Sequence, residues 1–210
     1  MLIEDYIFLN EFTQVIFYIF SFAIFGGGVK FIDDAFDEKT FSKNISLLLA
    51  PLLGIFWAYT MSLSAPAATI LAAIVLGVLI KGKIDNIAHK IGVICILTIV
   101  FFSGYFNFLI IPLIVITFFG VVDEVGNDWV DENNIYAKFL PTSKFVHLFF
   151  EYRFAMKLAV LFFAIIGDYS LIYFFAFLAF DVAYAFVKQV SAGILYNRRF
   201  FYDEKLNGVR

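Results

Sequence analysis

Two acidic segments stand out in this apolar chain, because each follows directly on a long run of hydrophobic residues. The first reads FGGGVKFIDDAFDEK over 25–39, and the second reads FGVVDEVGNDWVDEN over 119–133. Aligned on their initial Phe-Gly, the segments share three acidic positions: Asp34 with Asp128, Asp37 with Asp131, and Glu38 with Glu132. This match indicates a duplicated element within the chain.

Carboxylates at this spacing are typical of a site for a divalent cation. Residues three and four apart share one face of a helix, so Asp34, Asp37 and Glu38 are predicted to point in one direction. Crowded carboxylates repel one another, and Mg²⁺ relieves this by binding one or two of them together with waters and phosphate oxygens. The alternative is that these residues only solvate a loop. The predicted metal ligands are Asp33, Asp34, Asp37, Glu38, Glu124, Asp128 and Asp131.

Basic residues close to these segments are candidates for binding phosphate groups. Lys30 lies one turn before Asp34, and the stretch FEYRFAMK places Arg153 and Lys157 at the end of an apolar run. For Arg153 and Lys157 the alternative is snorkelling, in which the charged end reaches the lipid head groups. The predicted substrate-binding residues are Lys30, Arg153, Lys157 and Lys188.

Asp181 lies within the last apolar run, about 15 Å along it at the usual helical rise. A carboxylate at that depth is a functional candidate by default. Together with Tyr184 and Lys188 it forms a polar stripe on one helix face. We therefore predict Asp181 and Tyr184 as catalytic residues. The alternative is that Asp181 is protonated or makes a structural hydrogen bond to Tyr173 or Tyr184.

Composition identifies the solvent in which these residues must be positioned. The 210 residues are 62% hydrophobic and 16% charged, with 30 Phe and 11 Tyr, whereas soluble domains carry about a quarter charged residues. The chain is therefore predicted to reside in a membrane. A net charge of −3 argues against nucleic-acid binding. The single cysteine, Cys95, excludes an intrachain disulfide and a thiolate metal site.

Seven apolar segments predict an all-α polytopic membrane protein, a bundle of about seven transmembrane helices. A span needs about 20 residues, so the long apolar stretch from Ile87 to Val122 is divided at Gly104 into two spans. The predicted spans cover residues 12–31, 45–63, 65–80, 87–102, 106–122, 149–166 and 171–190.

The basic residues predict the orientation of these spans. With seven spans, all 15 Lys and Arg fall on one side of the membrane, which the positive-inside rule identifies as cytoplasmic. We expect the N-terminus outside, the C-terminus in the cytoplasm, and both acidic segments at the cytoplasmic face. The chain then forms one domain with parallel repeat-like halves, about 12–104 and 105–195, followed by a cytoplasmic tail over 196–210.

The two acidic segments resemble the Asp-rich motifs of the UbiA superfamily of intramembrane prenyltransferases. In the family motif N-D-x-x-D-x-x-x-D, Asp34 and Asp37 match the D-x-x-D core, while Asp33 replaces Asn and Phe41 replaces the last Asp. The second motif, D-x-x-x-D, corresponds to residues 124–128, with Glu first, or to residues 127–131, with Asn first. The resemblance implies Mg²⁺ as cofactor, and an isoprenyl diphosphate and an acceptor as partners.

Two functions are therefore expected from different classes. The first is Mg²⁺-dependent transfer of a prenyl group by a membrane enzyme, with the diphosphate bound at the two acidic segments. The second is a cation or proton-coupled transporter, in which Asp181 is the intramembrane site and the acidic clusters are an entrance.

Overall fold

The computed structural model describes residues 11–104, 107–132 and 141–207. Within these ranges the chain forms eight α-helices and no β-strand, which confirms the predicted all-α class. The helices are α1 (Glu11–Phe36), α2 (Lys43–Leu63), α3 (Ala65–Ile80), α4 (Ile87–Ser103), α5 (Ile110–Glu132), α6 (Pro141–Glu151), α7 (Phe154–Ile165) and α8 (Leu171–Asn207).

Four of these helices, α1, α2, α5 and α8, are long and apolar enough to cross a membrane. The apolar helices α3, α4 and α7 are shorter, with 16, 17 and 12 residues. In lipid, a helix satisfies every backbone N–H and C=O within its own segment, which is why so apolar a chain adopts this structure. The fold is therefore that of a helical membrane protein.

Six helices form a closed ring of contacts in the order α1, α2, α3, α5, α7, α8 and back to α1. The apolar helix α4 lies outside this ring and packs mainly against α2. There the backbones approach closely, because a Cβ atom on Gly54 would lie 2.6 Å from the carbonyl oxygen of Gly92. Small residues at helix interfaces are typical of membrane bundles.

The most extensive interface joins α1 and α8. Gly26 is required there, because a Cβ atom on it would lie 2.0 Å from the backbone oxygen of Phe180. Further along both helices, the hydroxyl groups of Thr40 and Ser191 lie 2.8 Å apart. The two helices therefore run in parallel and bring their polar halves to the same end of the bundle. We call this the charged end: α1, α3 and α5 finish there, and α2, α4 and α7 begin there.

Aromatic side chains fill the opposite end of the ring. Tyr18, Phe163 and Tyr169 are buried there. The ring of Tyr173 packs against Tyr18 and Tyr169 at centroid distances of 5.0 and 6.5 Å, and its hydroxyl lies 2.6 Å from the Oγ atom of Ser64. The apolar core therefore extends to this end of the bundle.

Several helix boundaries differ from those predicted from the apolar runs. The predicted break at Gly104 is present, since α4 ends at Ser103 and Gly104 has a φ of 67°. However, α1 continues beyond residue 31 to Phe36, and α5 continues beyond residue 122 to Glu132. Hydropathy marks where side chains stop being apolar, whereas helical hydrogen bonding propagates further. Both acidic segments are therefore largely helical.

The last part of the chain also differs from its prediction. Residues 141–151 form a separate helix, α6, and the chain turns at Tyr152 and Arg153 before α7 begins. Arg153 has a φ of 50°, a left-handed conformation that is uncommon for residues other than glycine. The predicted span over 149–166 is therefore shortened, and α8 extends through most of the predicted tail to Asn207.

Candidate functional site

A cavity of about 660 Å³ lies between the helices at the charged end. Side chains from α1, α3, α5, α6 and α8 line it, together with the α3–α4 connection and the start of α4. Residues from both acidic segments therefore face one space, although a long stretch of chain separates them. We refer to this space as the charged cavity.

The α1 wall of the charged cavity carries Asp33 and Asp37, which are one helical turn apart. The backbone N–H of Asp37 donates to the carbonyl oxygen of Asp33 at 2.9 Å, so the last turn of the helix places both carboxylates on one side. The Oδ1 atom of Asp33 also lies 3.3 Å from Nε2 of His89. These two are the carboxylates of the first acidic segment that line the cavity.

The helix face differs from the predicted one, which joined Asp34, Asp37 and Glu38. Asp34 is buried outside the cavity lining, and its Oδ1 atom lies 2.9 Å from Nζ of Lys30. Glu38 is exposed and lies beyond the end of α1. The reason is that the helix turns Asp34 towards the protein interior, where it anchors a basic side chain of the cavity.

The α5 wall combines a carboxylate with basic groups from other elements. Glu124 lies 2.5 Å from Nζ of Lys83 and 3.1 Å from Nη2 of Arg153. One turn further, Asp128 lies 3.0 Å from the Nζ atoms of both Lys81 and Lys83, outside the cavity lining. The second acidic segment is thus joined by ion pairs to the α3–α4 connection and to the α6–α7 turn.

Lys83 and Arg153 remain cationic in these positions. Burial of Lys83 opposes its charge, but hydrogen bonds to Glu124 and Asp128 outweigh burial and raise the pKa of Lys83 above its ordinary value. Burial also opposes the charge of Arg153. The nearby acidic groups, Glu124 first among them, outweigh burial and raise the pKa of Arg153 above its ordinary value. Both side chains therefore carry a positive charge at neutral pH.

Tyr184 of α8 lies between two basic side chains. The Nζ atom of Lys30 and the Cζ atom of Arg153 are each 5.3 Å from the centroid of its ring. This distance is within the range of cation–π attraction. Tyr184 therefore holds together the two cations that reach the cavity from α1 and from the α6–α7 turn.

Asp181 is paired with Lys157 of α7. The Nζ atom of Lys157 lies 2.6 Å from Oδ2 of Asp181 and also donates to the carbonyl oxygen of Tyr152. Asp181 lines the charged cavity, whereas Lys157 is buried behind it. The sequence had offered Tyr173 or Tyr184 as hydrogen-bond partners of this acid. The partner found here is a cation on a neighbouring helix.

Asp123 is fully buried and accepts hydrogen bonds from the first residues of α7. Its carboxylate oxygens accept hydrogen bonds from the backbone N–H groups of Ala155 at 3.0 Å and Met156 at 2.7 Å. The first N–H groups of a helix lack partners within the helix, and negative charge is favourable beside them. Asp123 therefore caps α7 from another helix and fixes the turn that carries Arg153.

The loop after Asp37 is held in place by α8. The side chain of Arg198 donates to the carbonyl oxygens of Lys39 at 2.8 Å and Thr40 at 3.4 Å. The hydroxyl of Thr40 contacts Ser191. These bonds fix the end of α1 and therefore the position of the Asp37 carboxylate.

The charged cavity has an excess of acidic side chains. Its acidic lining residues are Asp33, Asp37, Asp85, Asp123, Glu124, Glu151 and Asp181. Its lysine and arginine residues are Lys30, Lys83, Arg153 and Lys188. Of these seven carboxylates, Asp181 is compensated by Lys157 behind the lining and Asp123 by two backbone N–H groups. The remaining five face four basic groups, so the cavity is only slightly acidic.

The acidic lining residues fit Mg²⁺ in one particular way. In the described part of the chain, no three His, Cys, Asp or Glu side chains are grouped so that they could hold a metal ion by themselves. Mg²⁺ needs only one or two carboxylates when waters and phosphate oxygens complete its coordination. Asp33 and Asp37 on α1, and Glu124 on α5, can supply them. The site therefore fits a Mg²⁺ ion that binds together with a phosphate-bearing ligand.

The predicted site residues fall into two groups. Those that line the charged cavity are Asp33, Asp37, Glu124, Lys30, Arg153, Lys188, Asp181 and Tyr184. Those outside its lining are Asp34, Glu38, Asp128 and Lys157. The side chain of Asp131 lies outside the described residues.

Sequence reasoning missed the contribution of the α3–α4 connection. Lys83, Asp85 and His89 all line the charged cavity, and Lys83 binds both Glu124 and Asp128. The one available signal was that the basic residues of this connection fall on the same predicted side of the membrane as the acidic segments. No protein-family model, curated protein or solved structure matches this chain.

Proposed function

We propose that this chain is a Mg²⁺-dependent, prenyltransferase-like membrane enzyme that binds an isoprenyl diphosphate in the charged cavity. One observation carries the proposal: Asp33 and Asp37 of the first acidic segment and Glu124 of the second line one cavity with Lys30 and Arg153. Such a site offers both carboxylates for a metal and cations for phosphate. The proposal includes a bundle of about seven spans, with the two acidic segments in a parallel repeat facing the cytoplasm.

Lys30 and Arg153 are the proposed direct ligands of the diphosphate. Asp34 holds Lys30, Glu124 holds Arg153, and Tyr184 contacts both cations. Their side chains are therefore largely ordered before a ligand arrives, which lowers the entropic cost of binding. An arginine is suited to a diphosphate, because its planar group can bind two oxygens at once.

Mg²⁺, held by one or two of the carboxylates of Asp33, Asp37 and Glu124, would neutralise charge on the diphosphate as it leaves. In the proposed reaction the bond between the prenyl carbon and the diphosphate oxygen breaks, and the diphosphate departs with the bonding electrons. The prenyl group then bonds to a small or lipid acceptor, which loses a proton from the same atom to the departing diphosphate or to water. Asp181 and Tyr184 form the adjoining α8 wall and are proposed to face the reacting group.

A cation or proton-coupled transporter is the second candidate, because of the buried ion pair between Lys157 and Asp181. Ionisable residues inside a membrane commonly mark ion or proton pathways. However, the charged cavity reaches from the charged end to Phe180 and Asp181, and the buried aromatic residues Tyr18, Phe163 and Tyr169 at the opposite end do not line it. This arrangement favours a site entered from one end over a path through the bundle.

The test is the thermal stability of the purified protein with Mg²⁺, geranylgeranyl diphosphate, or both. A ligand that binds only the folded state raises apparent stability by mass action. We expect a rise that requires both compounds and that is largely lost in Asp33→Asn and Asp37→Asn. Glu38→Gln is the matched control, because Glu38 is exposed and does not line the cavity.

Two outcomes would contradict the proposal. One is the absence of any stability change in the unaltered protein with both compounds present. The other is an equal loss of the response in Glu38→Gln and in Asp33→Asn. Ion flux in liposomes that depends on Asp181 would then favour the transporter.

A further inference from the structure

His89, in the first turn of α4, faces the first acidic segment across the charged cavity. It lines the cavity, and its Nε2 atom lies 3.3 Å from Oδ1 of Asp33. In the part of the chain that the structure describes, Nε2 is buried and no acceptor meets it with hydrogen-bond geometry. Most buried polar atoms in proteins do have a partner, which makes this atom a candidate for a role in the site.

Asn86 determines which ring nitrogen of His89 carries the proton. It is the N-cap of α4, and its Oδ1 atom accepts the backbone N–H of His89 at 2.9 Å. Because the amide oxygen is committed to this cap, the amide nitrogen faces the ring and lies 3.0 Å from Nδ1. An amide NH₂ group only donates, so Nδ1 must be the unprotonated nitrogen. In the neutral ring the proton is then on Nε2, towards Asp33.

We propose that His89 is a positioning residue for the Asp33 carboxylate, and that Asn86 fixes the tautomer that allows it to act. The inference rests on the proposed function, since it takes Asp33 to be a ligand of Mg²⁺. In the proposed arrangement the Nε2–H group donates to one oxygen of Asp33, and the other oxygen remains for the metal. Carboxylates that bind metals are commonly oriented by such a hydrogen bond.

The two side chains differ in how firmly they are held. The ring of His89 is 14% exposed and is fixed from its far side by Asn86, which is itself buried. The side chain of Asp33 is 25% exposed and faces the cavity. Their separation of 3.3 Å is just beyond the usual N–H···O range of about 2.7–3.2 Å. A small rotation of the carboxylate therefore completes the hydrogen bond, and the ring determines its direction.

The pair also connects α4 to the site. Among the described residues, His89 is the only one of α4 that lines the charged cavity. This helix lies outside the ring of six helices and packs mainly against α2. Its N-cap therefore stabilises the start of the helix and orients the one side chain that the helix contributes to the cavity.

The first measurement locates the proton of His89 by NMR of isotope-labelled ring nitrogens in detergent. The chain has two histidines, so His147→Gln assigns the signals. We expect a proton on Nε2 of His89 and none on Nδ1. Asn86→Asp keeps the N-cap but presents an acceptor in place of the amide donor, so Nδ1 should gain a proton. The signals of His147 should not change in that variant.

The second measurement is the Mg²⁺ concentration that gives half of the thermal stabilisation in excess geranylgeranyl diphosphate. His89→Leu removes the donor but keeps the cap, because the cap bond goes to the backbone N–H. It should raise this concentration by about ten- to a hundredfold. His89→Gln places a side-chain N–H near the former Nε2 position and should recover most of the affinity. If His89→Leu does not fold, His89→Ala removes the same donor with a smaller side chain.

Lys90→Gln is the matched control for these variants. Lys90 is the next residue of α4, is exposed, and does not line the charged cavity. The Mg²⁺ concentration for half of the stabilisation should therefore be the same in this variant as in the unaltered protein.

The outcomes separate this inference from the function on which it rests. A proton on Nδ1 of His89 in the unaltered protein, or on both ring nitrogens, would overturn the role of Asn86. Equal Mg²⁺ responses in His89→Leu and His89→Gln, whether both retained or both weakened, would overturn the positioning role and leave the charged cavity as a Mg²⁺ site. The absence of any response in the unaltered protein would overturn both proposals.

Discussion

The Nζ atom of Lys157 lies 2.6 Å from the Oδ2 atom of Asp181, and the two side chains are 6% and 12% exposed. This ion pair joins α7 to α8 beside the charged cavity. A carboxylate within the last apolar run is thus compensated by a cation that the sequence places far from it. Removal of either group would leave the other buried without its partner. The stability of the protein should therefore be sensitive to substitution of either residue.

The first prediction concerns this ion pair. Asp181→Leu should lower the free energy of unfolding by about 3–5 kcal/mol, because Lys157 would remain buried and uncompensated. The double variant Lys157→Met/Asp181→Leu should recover much of that loss. Chemical unfolding in detergent measures both values. With Lys157→Met measured as well, a double-variant loss equal to the sum of the two single losses would show that the pair is not coupled.

The second prediction concerns the cap of α7. Asp123→Ala should cost about 1–2 kcal/mol, because two backbone N–H groups at Ala155 and Met156 lose their acceptor. Hydrogen exchange should accelerate at the start of α7. Asp168→Ala is the control, since Asp168 is exposed near the other end of that helix. Unchanged exchange at Met156 would contradict the capping role.

The third prediction concerns the contact between α5 and α6. A Cβ atom on Gly126 would lie 2.2 Å from the ring of Phe150, so Gly126→Ala should destabilise the protein by about 1–3 kcal/mol. Hydrogen exchange in α6 should also accelerate, because the helix must move away. Phe150→Leu in the same chain should restore part of the stability.

Gly193→Ala is the control for this contact, since nothing lies within 4 Å of the corresponding Cβ position in α8. There alanine should stabilise the helix by up to about 1 kcal/mol. If both glycine variants changed stability in the same direction and by the same amount, helix propensity would explain the result better than the contact with Phe150.

The fourth prediction concerns the loop after α1. Arg198→Ala removes the donor to the carbonyl oxygens of Lys39 and Thr40, so backbone exchange of this loop should accelerate. The Mg²⁺-dependent response to a diphosphate should weaken as well, because Asp37 loses its fixed position. Arg198→Lys should restore only part of the effect, since lysine lacks the planar fork of donors. Tyr196→Ala, at an exposed position on the same helix, should leave both measurements unchanged.

The fifth prediction concerns the dependence of Lys83 on pH and salt. Its pKa is raised above the ordinary 10.5, so its stabilising effect is full below that value and is lost as pH rises through the raised pKa. Lys83→Met should therefore cost a constant amount between neutral pH and about pH 9. Since Lys83 and Asp128 are 40% and 39% exposed, the part of the cost that comes from this pair should be below about 1 kcal/mol and should shrink at high salt. A cost that varies across this pH window would contradict the assignment.

Features encoded locally were predictable from the sequence. Apolar composition indicates lipid as the solvent, lipid requires backbone hydrogen bonds within each segment, and the all-α class follows. The break at Gly104 was predictable too, because glycine readily adopts the left-handed conformation that ends α4. The course of α8 beyond residue 190 was not, since polar and aromatic residues there continue the helix without a hydropathy signal.

The partners of the site residues were not predictable, because they lie on different helices. Nothing near Asp181 in the sequence points to Lys157, and nothing near Asp33 points to His89; both contacts depend on the order in which the helices pack. Even Asp34 and Asp33, which are adjacent, have opposite roles. Asp34 anchors Lys30, whereas Asp33 lines the cavity. The rotation of α1 against α8 decides which of the two carboxylates faces the cavity.

The length of α8 has a mechanical consequence. Its 37 residues extend about 55 Å, whereas the hydrocarbon core of a membrane is about 30 Å thick. The same uninterrupted helix carries Asp181 and Tyr184 in the cavity wall and the exposed Tyr196 and Phe200 further along. Long helices bend only gently, so the part of α8 around Tyr196 and Phe200 is stiffly connected to the part that lines the cavity. We therefore expect a change in the tilt of the far part to alter the tilt of the cavity wall as well, unless the bonds from Ser191 and Arg198 to the loop after α1 hold the helix in place.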